Sequence, residues 1–365
     1  MLSSAAGLHA AGLHATGLHV VCAMSGGVDS TVAAALQIQQ GFKCTGITLK
    51  LRNEEIGCSS LQDINDAKAA ANNLGIEHLT FDLSKEFNKY VVSHFVETYE
   101  NGATPNPCIE CNKNIKFNMQ FFQSSFNEFD FFVTGHYARI TKDPISGRFL
   151  LQKAIDEKKD QSYVLYCLTQ QQLEKASFPL GSLTKTKVRK LAEEKKLINA
   201  AKSESQDICF IPDGDYGSFI ERFTGKTYPY GDIIDLEGNV LGRHKGLIRY
   251  TIGQRRGLGV AANKPIYVVS KSTSANTVTL AADEALYTKS LTAENINLIT
   301  CDDIKKSMRV LVKTRYQQVE QWATAEQTGE NSLHIEFDLP QRAITPGQAV
   351  VMYDGDTVVG GGTIV

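Results

Sequence analysis

The chain has 365 residues, of which 42% are hydrophobic and 21% charged, a balance typical of soluble globular proteins with two or three domains. No run of about 18 apolar residues occurs, so the sequence predicts no membrane span. Lysine and arginine number 38 against 40 acidic residues, a formal charge of −2. Overall basicity therefore gives no argument for nucleic acid, and a polyanion would have to meet a local patch such as Lys185–Arg189 or Arg243–Arg256, unless those charges are simply solvated.

The amino terminus and the cysteine content bear on where the chain works. Residues 1–18 carry a Gly-Leu-His repeat without a charged residue, and they lack the features of a signal or transit peptide. We interpret them as a disordered or artefactual extension. Eight cysteines are too few for a disulfide scaffold in a chain of this length, which predicts a reducing compartment and a cytoplasmic location.

Short apolar runs alternate with helix-period stretches from residue 19 to about residue 200, which is the pattern of parallel βαβ units. The predicted strands cover 20–24, 44–49, 78–81 and 131–134, and the predicted helices cover 31–40, 63–74 and 86–99. Gly135 and His136 follow the last of these strands, at the edge where parallel sheets bind ligands. His136 is either catalytic or a histidine satisfied at a strand end.

The pattern changes after about residue 212, where helix-period segments disappear. Short strands such as 248–251 and 266–269 predict a small β-rich module, and alternating runs with Pro-Gly and Asp-Gly turns predict a barrel or sandwich beyond it. We therefore predict an α/β fold in three parts. A parallel-sheet domain covers 19–212, a small central β-rich domain covers 213–280, and a C-terminal β-barrel covers 281–365.

The segment SGGVDS, residues 25–30, carries the strongest functional signal. Its two glycines allow positive φ and present backbone N–H groups to an anion, while the following helix adds its positive dipole end. The segment has no lysine, so it is not the loop that grips the terminal phosphates in phosphoryl transfer. Asp29 either orders the loop or meets Mg²⁺. The alternative is a connection that uses glycines only for turning.

Three cysteines suggest thiol chemistry. Cys108 and Cys111 stand at Cys-x-x-Cys spacing after two prolines, and Cys209 follows the polar run 203–207. Sulfur carried as a persulfide needs one cysteine to hold it and a second to attack the S–S bond. The alternatives are an inert pair, half of a zinc site or three ligands of an iron–sulfur cluster. We expect the other cysteines to be small buried hydrophobes, namely Cys22, Cys44, Cys58, Cys167 and Cys301.

Six motifs occur in the order found in tRNA-specific 2-thiouridylases. They are SGGVDS, TPNPCIECNKNIKF, TGHYARI, KKDQSY, SESQDICFI and GQRRGLG. The chain resembles this family, which belongs to the N-type ATP pyrophosphatases or PP-loop superfamily, from about residue 19 to the carboxyl terminus. The resemblance identifies residues 19–212 as a PP-loop ATP pyrophosphatase domain and implies a C-terminal barrel that contacts tRNA.

The resemblance implies a tRNA-uridine 2-sulfurtransferase. With ATP and Mg²⁺ it would adenylate the carbon-2 oxygen of the wobble uridine in tRNAs for Lys, Glu and Gln, and persulfide sulfur would replace that oxygen to give 2-thiouridine. The implied partners are tRNA and a persulfide-donating sulfur carrier or cysteine desulfurase, and no membrane. Two other hypotheses are an ATP pyrophosphatase that amidates a metabolite, and a tRNA-binding module with a degenerate nucleotide site.

The resemblance also assigns site residues by motif position. Cys209 would carry the persulfide and Cys111 would be the paired nucleophile; no residue is assigned to a metal. ATP would contact Ala23, Met24, Ser25, Gly26, Gly27, Val28, Asp29, Ser30, Leu49 and Gly135. The target base would approach Asn106, Pro107 and Cys108, and tRNA would contact Lys159, Asp160, Gln161, Arg315 and Tyr316. Some relatives carry an acid/base Asp at position 108 and Met at position 49, where this chain has Cys and Leu.

Overall fold

The computed structural model describes residues 17–52, 60–122, 125–126, 128–200, 202 and 208–365. Its first part alternates strands and helices. In chain order these are β1 (His19–Ala23), α1 (Val28–Gln39), β2 (Lys43–Lys50), α2 (Ser60–Leu74), β3 (Glu77–Asp82), α3 (Ser84–Phe87), α4 (Ser93–Glu100), α5 (Pro107–Cys111), β4 (Phe131–Val133), β5 (Arg139–Lys142), β6 (Phe149–Gln152), α6 (Ser162–Leu165), α7 (Gln170–Lys175), β7 (Ala176–Ser177) and α8 (Lys185–Glu194). A π-helical turn, Asn88–Val92, joins α3 to α4, and another, Asn112–Lys116, follows α5.

Five parallel strands form the first sheet, in the order β3-β2-β1-β4-β7. Its central strand β1 is uniformly apolar because both faces are covered, and Val20 and Val21 are fully buried. The strand order reverses between β1 and β4. The loops that follow these two strands therefore flank the crevice in which such sheets bind ligands. The predicted parallel sheet is confirmed.

Small side chains let the first helix pack closely on this sheet. Ala33 and Ala34 of α1 are almost completely buried, and they share a core cluster with Val188 and Ala192 of α8. The carbonyl of Leu18 accepts a hydrogen bond of 2.9 Å from the Lys43 amide. Leu18 is thus part of the folded sheet, and the prediction that the extension reaches residue 18 is wrong. Residues 1–16 lie outside the described residues.

The central part consists of α9 (Tyr216–Thr224), β8 (Gly231–Ile234), β9 (Val240–His244), β10 (Tyr267–Ser272) and β11 (Thr277–Ala281). The four strands form a sheet in the order β10-β11-β8-β9. Its core includes Ile233, Val268 and Val278, which are completely buried. The small β-rich module is therefore confirmed.

Two local predictions in this part are wrong. Helix α9 lies beyond residue 212, capped by the Asp215 side chain, which accepts from the Ser218 amide at 3.0 Å. Phe219 of α9 meets Phe95 of the first domain, with ring centroids 6.2 Å apart. A helix as short as α9 gives a periodic apolar pattern over only about two turns, which is little for a sequence-based prediction. Residues 248–251 do not form a strand, because a 3₁₀ turn occupies Leu247–Arg249.

The carboxyl-terminal part is a closed antiparallel barrel of β12 (Tyr287–Leu298), β13 (Met308–Lys313), β14 (Gln321–Gly329), β15 (Ser332–Arg342), β16 (Ala349–Asp354) and β17 (Thr357–Ile364). The strands follow the order β12-β15-β14-β13-β16-β17, and pairing of β12 with β17 closes the ring. Alternate residues such as Val310, Ala323 and Ile335 fill the interior, where they are fully buried. The predicted barrel is confirmed.

The barrel is joined to the first domain at two places. The hairpin of β5 and β6 extends the barrel sheet, since Gln152 of β6 pairs with Thr357 of β17. The Thr104 amide, just before α5, donates to the Pro346 carbonyl at 2.8 Å, and the Gln348 side chain donates to the Thr104 carbonyl at 2.8 Å. The barrel thus holds the segment that leads into the Cys-x-x-Cys helix. Among the described residues, no helix has the length and apolarity needed to cross a membrane.

Candidate active site

The SGGVDS segment connects β1 to α1 at the carboxyl edge of the parallel sheet. Gly26 has a φ of +74°, and a Cβ atom at this position would lie 2.6 Å from the Asp63 carbonyl oxygen. Only glycine fits here unless α2 moves. Gly27 is the N-cap residue of α1, so the turn leads directly into the positive end of the helix dipole. This is the geometry of an anion-binding loop.

Hydrogen bonds from side chains fix the shape of this loop. The Ser25 amide donates to the Ser30 hydroxyl oxygen at 3.1 Å. The hydroxyls of Ser30 and Thr31 donate to the Gly27 carbonyl at 3.1 and 3.0 Å. The Asn199 amide group, which follows α8, donates to the carbonyls of the two loop glycines at 3.3 and 3.0 Å. The loop is therefore ordered by the protein itself.

Asp29 is held by a cation and a phenol. The Lys185 ammonium lies 2.7 Å from both carboxylate oxygens of Asp29, and the Tyr137 hydroxyl donates to one of them at 2.8 Å. Lys185 is 8% exposed, so this ion pair is largely shielded from water. Of the two roles predicted for Asp29, the geometry favours ordering the loop. The sequence had suggested that Lys185 belongs to a basic patch on the surface. Lys185 is not part of such a patch, because its ammonium is paired with Asp29.

The loop after β4 packs against the start of α1. A Cβ atom on Gly135 would lie 2.8 Å from the Ser30 amide nitrogen, so this close approach requires glycine. The neighbouring His136 bonds through Nδ1 to the Thr134 hydroxyl at 2.7 Å. Burial, with the Lys116 charge second, holds the pKa of His136 well below its usual range. The imidazole is therefore neutral, and its contacts match a histidine satisfied at a strand end.

The other positions assigned to ATP flank this loop. Met24 and Val28 are buried, and the Met24 amide donates to the Ile47 carbonyl at 2.7 Å, so only their backbones border the crevice. Ala23 ends β1 and is half-buried. Leu49, near the end of β2, is partly buried and packs against two core clusters. Ala23 and Leu49 are therefore the partly exposed apolar side chains at this edge, on which adenine would pack.

The described residues suit a pyrophosphate group better than a protein-bound metal ion. The Gly26 turn and the start of α1 offer hydrogen-bond donors to an anion, whereas both Asp29 oxygens already accept from Lys185. Within the described ranges, no three His, Cys, Asp or Glu side chains are placed to hold a metal ion together. ATP fits the loop, and Mg²⁺ would be held by the ATP phosphates and water, its usual ligands.

The Cys-x-x-Cys segment forms the short helix α5. The Asn106 side chain caps it by accepting from the Cys108 amide at 3.2 Å, and Pro107 occupies the first turn. Cys108 is exposed, whereas Cys111 is buried. Burial raises the pKa of the Cys111 thiol to about 12. Cys111 is therefore a thiol at neutral pH until a neighbouring charge or base activates it.

Cys209 joins this helix from a distant part of the chain. The residue is exposed, but its thiol is enclosed enough for desolvation to raise its pKa, and the charge of Cys108 raises it further. Its neighbour Phe210 packs in the same core cluster as Cys111, and the charges of Cys209 and Cys108 raise the pKa of Cys111, so the three thiols lie near one another. We call Cys108, Cys111 and Cys209 the cysteine cluster. The structure thus brings the two predicted catalytic cysteines together.

A lysine that the sequence reading missed lies in the cysteine cluster. Lys116 ends the π-helical turn after α5, and π-helical turns are frequent at functional sites. Burial alone would lower the pKa of the Lys116 ammonium, but the nearby thiolate charges outweigh burial and leave that pKa raised. The ammonium in turn lowers the pKa of Cys111 and Cys209 against the effect of burial. Lys116 therefore favours the thiolates of both cysteines, and the Arg52 charge adds to this effect at Cys209.

An arginine connects the cysteine cluster with the ATP loop. Arg52, which is 8% exposed, donates through Nη1 to the Cys209 carbonyl. Its Nη2 lies 3.9 Å from a carboxylate oxygen of Asp63, the residue whose carbonyl packs against Gly26. The Arg52 side chain thus lies between the cysteine cluster and the ATP loop.

Family models match three successive parts of the chain. The first, described as the tRNA methyl transferase HUP domain, matches residues 18–213. The second, a tRNA methyl transferase PRC-barrel domain, matches residues 217–282, and the third, an aminomethyltransferase beta-barrel domain, matches residues 288–364. The three models follow the three sheets of the fold.

Three curated relatives are similar over nearly their full length. The tRNA-specific 2-thiouridylase MnmA of Acetivibrio thermocellus is 45% identical over 353 residues, covering 94% of this chain and 98% of the relative. Those of Clostridioides difficile and Treponema denticola are 44% and 46% identical, covering 94% of this chain and 97% of each relative. The chain belongs to the tRNA-specific 2-thiouridylase family.

Asp160 and Gln161, which were predicted to contact tRNA, make hydrogen bonds within the protein. The buried Asp160 carboxylate accepts from the Ala154 amide at 2.9 Å and from the Ser162 hydroxyl at 2.7 Å. The Gln161 side chain accepts from the Tyr137 amide at 2.9 Å, which ties it to the partner of Asp29. Both residues therefore shape the loop beside the crevice. The neighbouring Lys159 is half-buried, and all three tRNA contacts stay predictions.

Arg315 and Tyr316, the two barrel residues predicted to contact tRNA, lie where the domains meet. Arg315 donates to the carbonyls of Ile252 and Ala343 at 3.1 and 2.9 Å, which joins the central module to the barrel. Tyr316 is 38% exposed and packs edge-on against Tyr163 at 6.0 Å. Burial raises the pKa of Tyr316 to about 12, with the charges of Asp160 and Cys108 adding to it. Tyr316 thus lies near the cysteine cluster.

The remaining predictions on cysteines have mixed outcomes. Cys22, Cys44 and Cys167 are buried, as expected, whereas Cys301 is half-buried. Cys58 and residues 203–207 lie outside the described residues. The site residues missed from the sequence are Lys185, Asn199, Arg52 and Lys116. Lys116 carried a signal, since it stands in the same motif as Cys111, but the other three act on segments far away in sequence.

Proposed function

We propose that this protein uses ATP and Mg²⁺ to adenylate the carbon-2 oxygen of the wobble uridine in tRNAs for Lys, Glu and Gln, and then replaces that oxygen with persulfide sulfur. One observation carries the proposal. Cys111, Cys209 and Lys116 assemble beside an anion-binding loop to which Arg52 connects them. An ATP pyrophosphatase that amidates a metabolite would have no use for this cluster. The names of the relatives support tRNA thiolation.

In the adenylation step, the loop holds the phosphates of ATP. The N–H groups at the start of α1 and the Gly26 turn offset negative charge as pyrophosphate leaves, and Mg²⁺, when bound with ATP, would supply further neutralisation. Lys185 and Asp29 keep the loop rigid, so little reorganisation is needed when the charge develops. The uridine oxygen attacks the α-phosphorus, and an O–AMP group forms on carbon 2.

In the sulfur-transfer step, Cys209 carries the persulfide. Its terminal sulfur attacks carbon 2, the C–O bond breaks and AMP leaves with the oxygen. The Cys111 thiolate then attacks Cys209 Sγ, which forms a Cys111–Cys209 disulfide and releases 2-thiouridine. The electron pair of the broken S–S bond leaves with the new thiocarbonyl sulfur. Lys116 favours the Cys111 thiolate, and a thiol reductant resets the disulfide.

The other features of the proposal follow from this chemistry. A persulfide-donating sulfur carrier or cysteine desulfurase must load Cys209, whose exposed position supports such an encounter. We place the tRNA over Asn106 to Cys108, between α5 and Tyr316 of the barrel, because the first domain and the barrel meet there. The seven cysteines among the described residues form no disulfide, which supports a reducing compartment, the cytoplasm.

Mass spectrometry of nucleosides tests the proposal. Unmodified tRNA-Glu transcript is incubated with the protein, ATP, Mg²⁺ and a persulfide source, and AMP is measured in parallel. We expect 2-thiouridine at the wobble position and one AMP for each. AMP release without thiouridine would contradict the proposal and favour an amidating enzyme. Absorbance of protein purified without oxygen separates the persulfide route from one that uses an iron–sulfur cluster, which would absorb near 400 nm.

A further inference from the structure

Arg52 occupies a position between the two chemical parts of the site. It directly follows the β2 segment and is almost completely buried, although a guanidinium loses much hydration on burial. Nη1 donates to the backbone carbonyl of Cys209, 157 residues away in sequence. This hydrogen bond holds the backbone of Cys209 and leaves the Cys209 thiol available to carry sulfur.

Asp63 extends this contact to the ATP loop. Its carboxylate lies 3.9 Å from Arg52 Nη2 and 3.1 Å from the Lys202 ammonium. Lys202 also bonds Asp66 at 2.7 Å. The Asp63 carbonyl lies directly against Gly26, where even one added methyl group would clash. Contacts therefore run without interruption from the backbone of Cys209 to the turn that binds phosphate.

We infer that Arg52 is a positioning residue that places Cys209 relative to the ATP loop and so couples adenylation to sulfur transfer. The inference rests on the proposed function and assigns a role to a residue outside the family motifs quoted above. Arg52 bonds the Cys209 backbone, and its charge also lowers the pKa of the Cys209 thiol. It acts by limiting where the Cys209 backbone can be when the adenylated base is present.

Coupling matters because the adenylated uridine is activated toward water as well as toward sulfur. A persulfide held within reach has an effective concentration far above any in solution, and an error of about 1 Å costs roughly a hundredfold in rate. If Cys209 is displaced, water removes AMP first and ATP is consumed without product. Loss of Arg52 should therefore change the ratio of the two products more than the rate of ATP use.

The first experiment measures this ratio in Arg52→Met, which keeps the length of the side chain and removes its donors. With tRNA, ATP and a persulfide source, we expect AMP formation within about threefold of wild type and 2-thiouridine per AMP lower by at least about tenfold. Arg52→Lys, which retains one donor for the Cys209 carbonyl, should recover part of the ratio. An unchanged ratio in Arg52→Met would overturn the inference.

A matched control is Arg148→Met. Arg148 also donates to a backbone carbonyl, that of Ile299 at 2.8 Å, and also pairs with a carboxylate, that of Asp302 at 2.7 Å. It joins the first domain to the barrel and has no contact with the cysteine cluster. If general loosening of the fold caused the uncoupling, Arg148→Met would show it too, and the inference would fail.

A second experiment needs neither ATP nor tRNA. Diamide takes two electrons from Cys111 and Cys209, forms the disulfide between them and is itself reduced to the hydrazine, which takes up both protons. We expect this disulfide to form about tenfold more slowly in Arg52→Met than in wild type, as measured by peptide mass after an acid quench. The rate is divided by the rate at which iodoacetamide alkylates Cys209, which corrects for loss of the Arg52 charge that lowers the pKa of this thiol. An equal rate would contradict a positioning role.

The two experiments distinguish failure of the inference from failure of the proposed function. If wild type makes no 2-thiouridine, the proposed function fails, whereas the disulfide rate still reports whether Arg52 positions Cys209. If wild type makes 2-thiouridine and both Arg52 readouts are unchanged, only the inference fails. Thermal unfolding of Arg52→Met, Arg52→Lys and Arg148→Met identifies a variant that does not fold, and the remaining Arg52 variant then decides.

Discussion

The ATP loop and the cysteine cluster are built in opposite ways. The loop is fixed before any substrate arrives, because Ser30, Thr31 and Asn199 use their donors on its backbone. The cysteine cluster has two thiols whose pKa is raised by burial, and the Lys116 charge lowers both while the Arg52 charge lowers that of Cys209. A rigid site suits a reaction whose charges appear at fixed positions. A site of protonated thiols suits a reagent that must stay inactive until it is needed.

The largest effect should separate the chemistry of the two regions. Cys209→Ser removes the sulfur carrier, and we expect 2-thiouridine to fall by about 10³-fold or more while AMP formation persists. Nucleoside mass spectrometry with parallel AMP measurement checks this. Cys301→Ser, which changes a half-buried cysteine elsewhere, is the matched control. Loss of AMP formation in Cys209→Ser would mean that the two regions are not separate.

The next effect concerns the rigidity of the loop. Gly26→Ala adds a methyl group 2.6 Å from the Asp63 carbonyl at a residue with positive φ. We expect about 1–3 kcal/mol of strain and about a hundredfold slower AMP formation. Gly147→Ala is the control, because its φ is also positive, +73°, but no atom lies within 4 Å of the added methyl. Equal loss in both variants would mean that the close approach to α2 has no role.

A smaller effect should come from the cation that orders the loop. Lys185→Met leaves the Asp29 carboxylate without its partner, and we expect the free energy of unfolding to fall by about 1–3 kcal/mol and AMP formation by about ten- to thirtyfold. Adding Asp29→Asn should restore part of the stability, since no buried charge then remains. Lys187→Met on the exposed side of α8 is the control. Denaturant unfolding that is additive in the double variant would contradict this account.

The smallest effect is a pH dependence in the cysteine cluster. Only the thiolate reacts with iodoacetamide, so a raised pKa moves the rise in alkylation rate to higher pH. Lys116→Met removes a charge that lowers the pKa of Cys209, and we expect the midpoint to move to higher pH. Alkylation of Cys209 at neutral pH should then slow by about three- to tenfold. Lys116→Arg should behave as wild type and Lys113→Met as a neutral control; a midpoint that falls in Lys116→Met would refute the assignment.

The sequence predicted the ATP loop and the parallel sheet because both depend on local order. SGGVDS carries its own glycines and hydroxyls, and the strand before it is a continuous apolar run that leads into a helix after it. Contacts between residues far apart in the sequence could not be predicted from local patterns. Lys185 reaches Asp29 over 156 residues and Asn199 reaches Gly27 over 172, and no periodicity marks either pair. Motif order brought Cys111 and Cys209 into one hypothesis, but it could not reveal Arg52 between them.

The errors had a different cause. Helix α9 has a clear apolar face, which packs in a core shared with α4, but its nine residues are too few to stand out beside the strand-like segments that follow. Leu18 belongs to an apparent repeat, yet its backbone is used by β2. In both cases tertiary contacts decided the local structure.

The pairing of β6 with β17 has a consequence for synthesis of the chain. Strand β6 ends at Gln152, and its partner on β17 is Thr357. During translation the outer edge of the β5–β6 hairpin has no partner until more than 200 residues later. Exposed edges of this kind promote association between nascent chains. Premature termination before β17 should therefore yield aggregates rather than a free first domain.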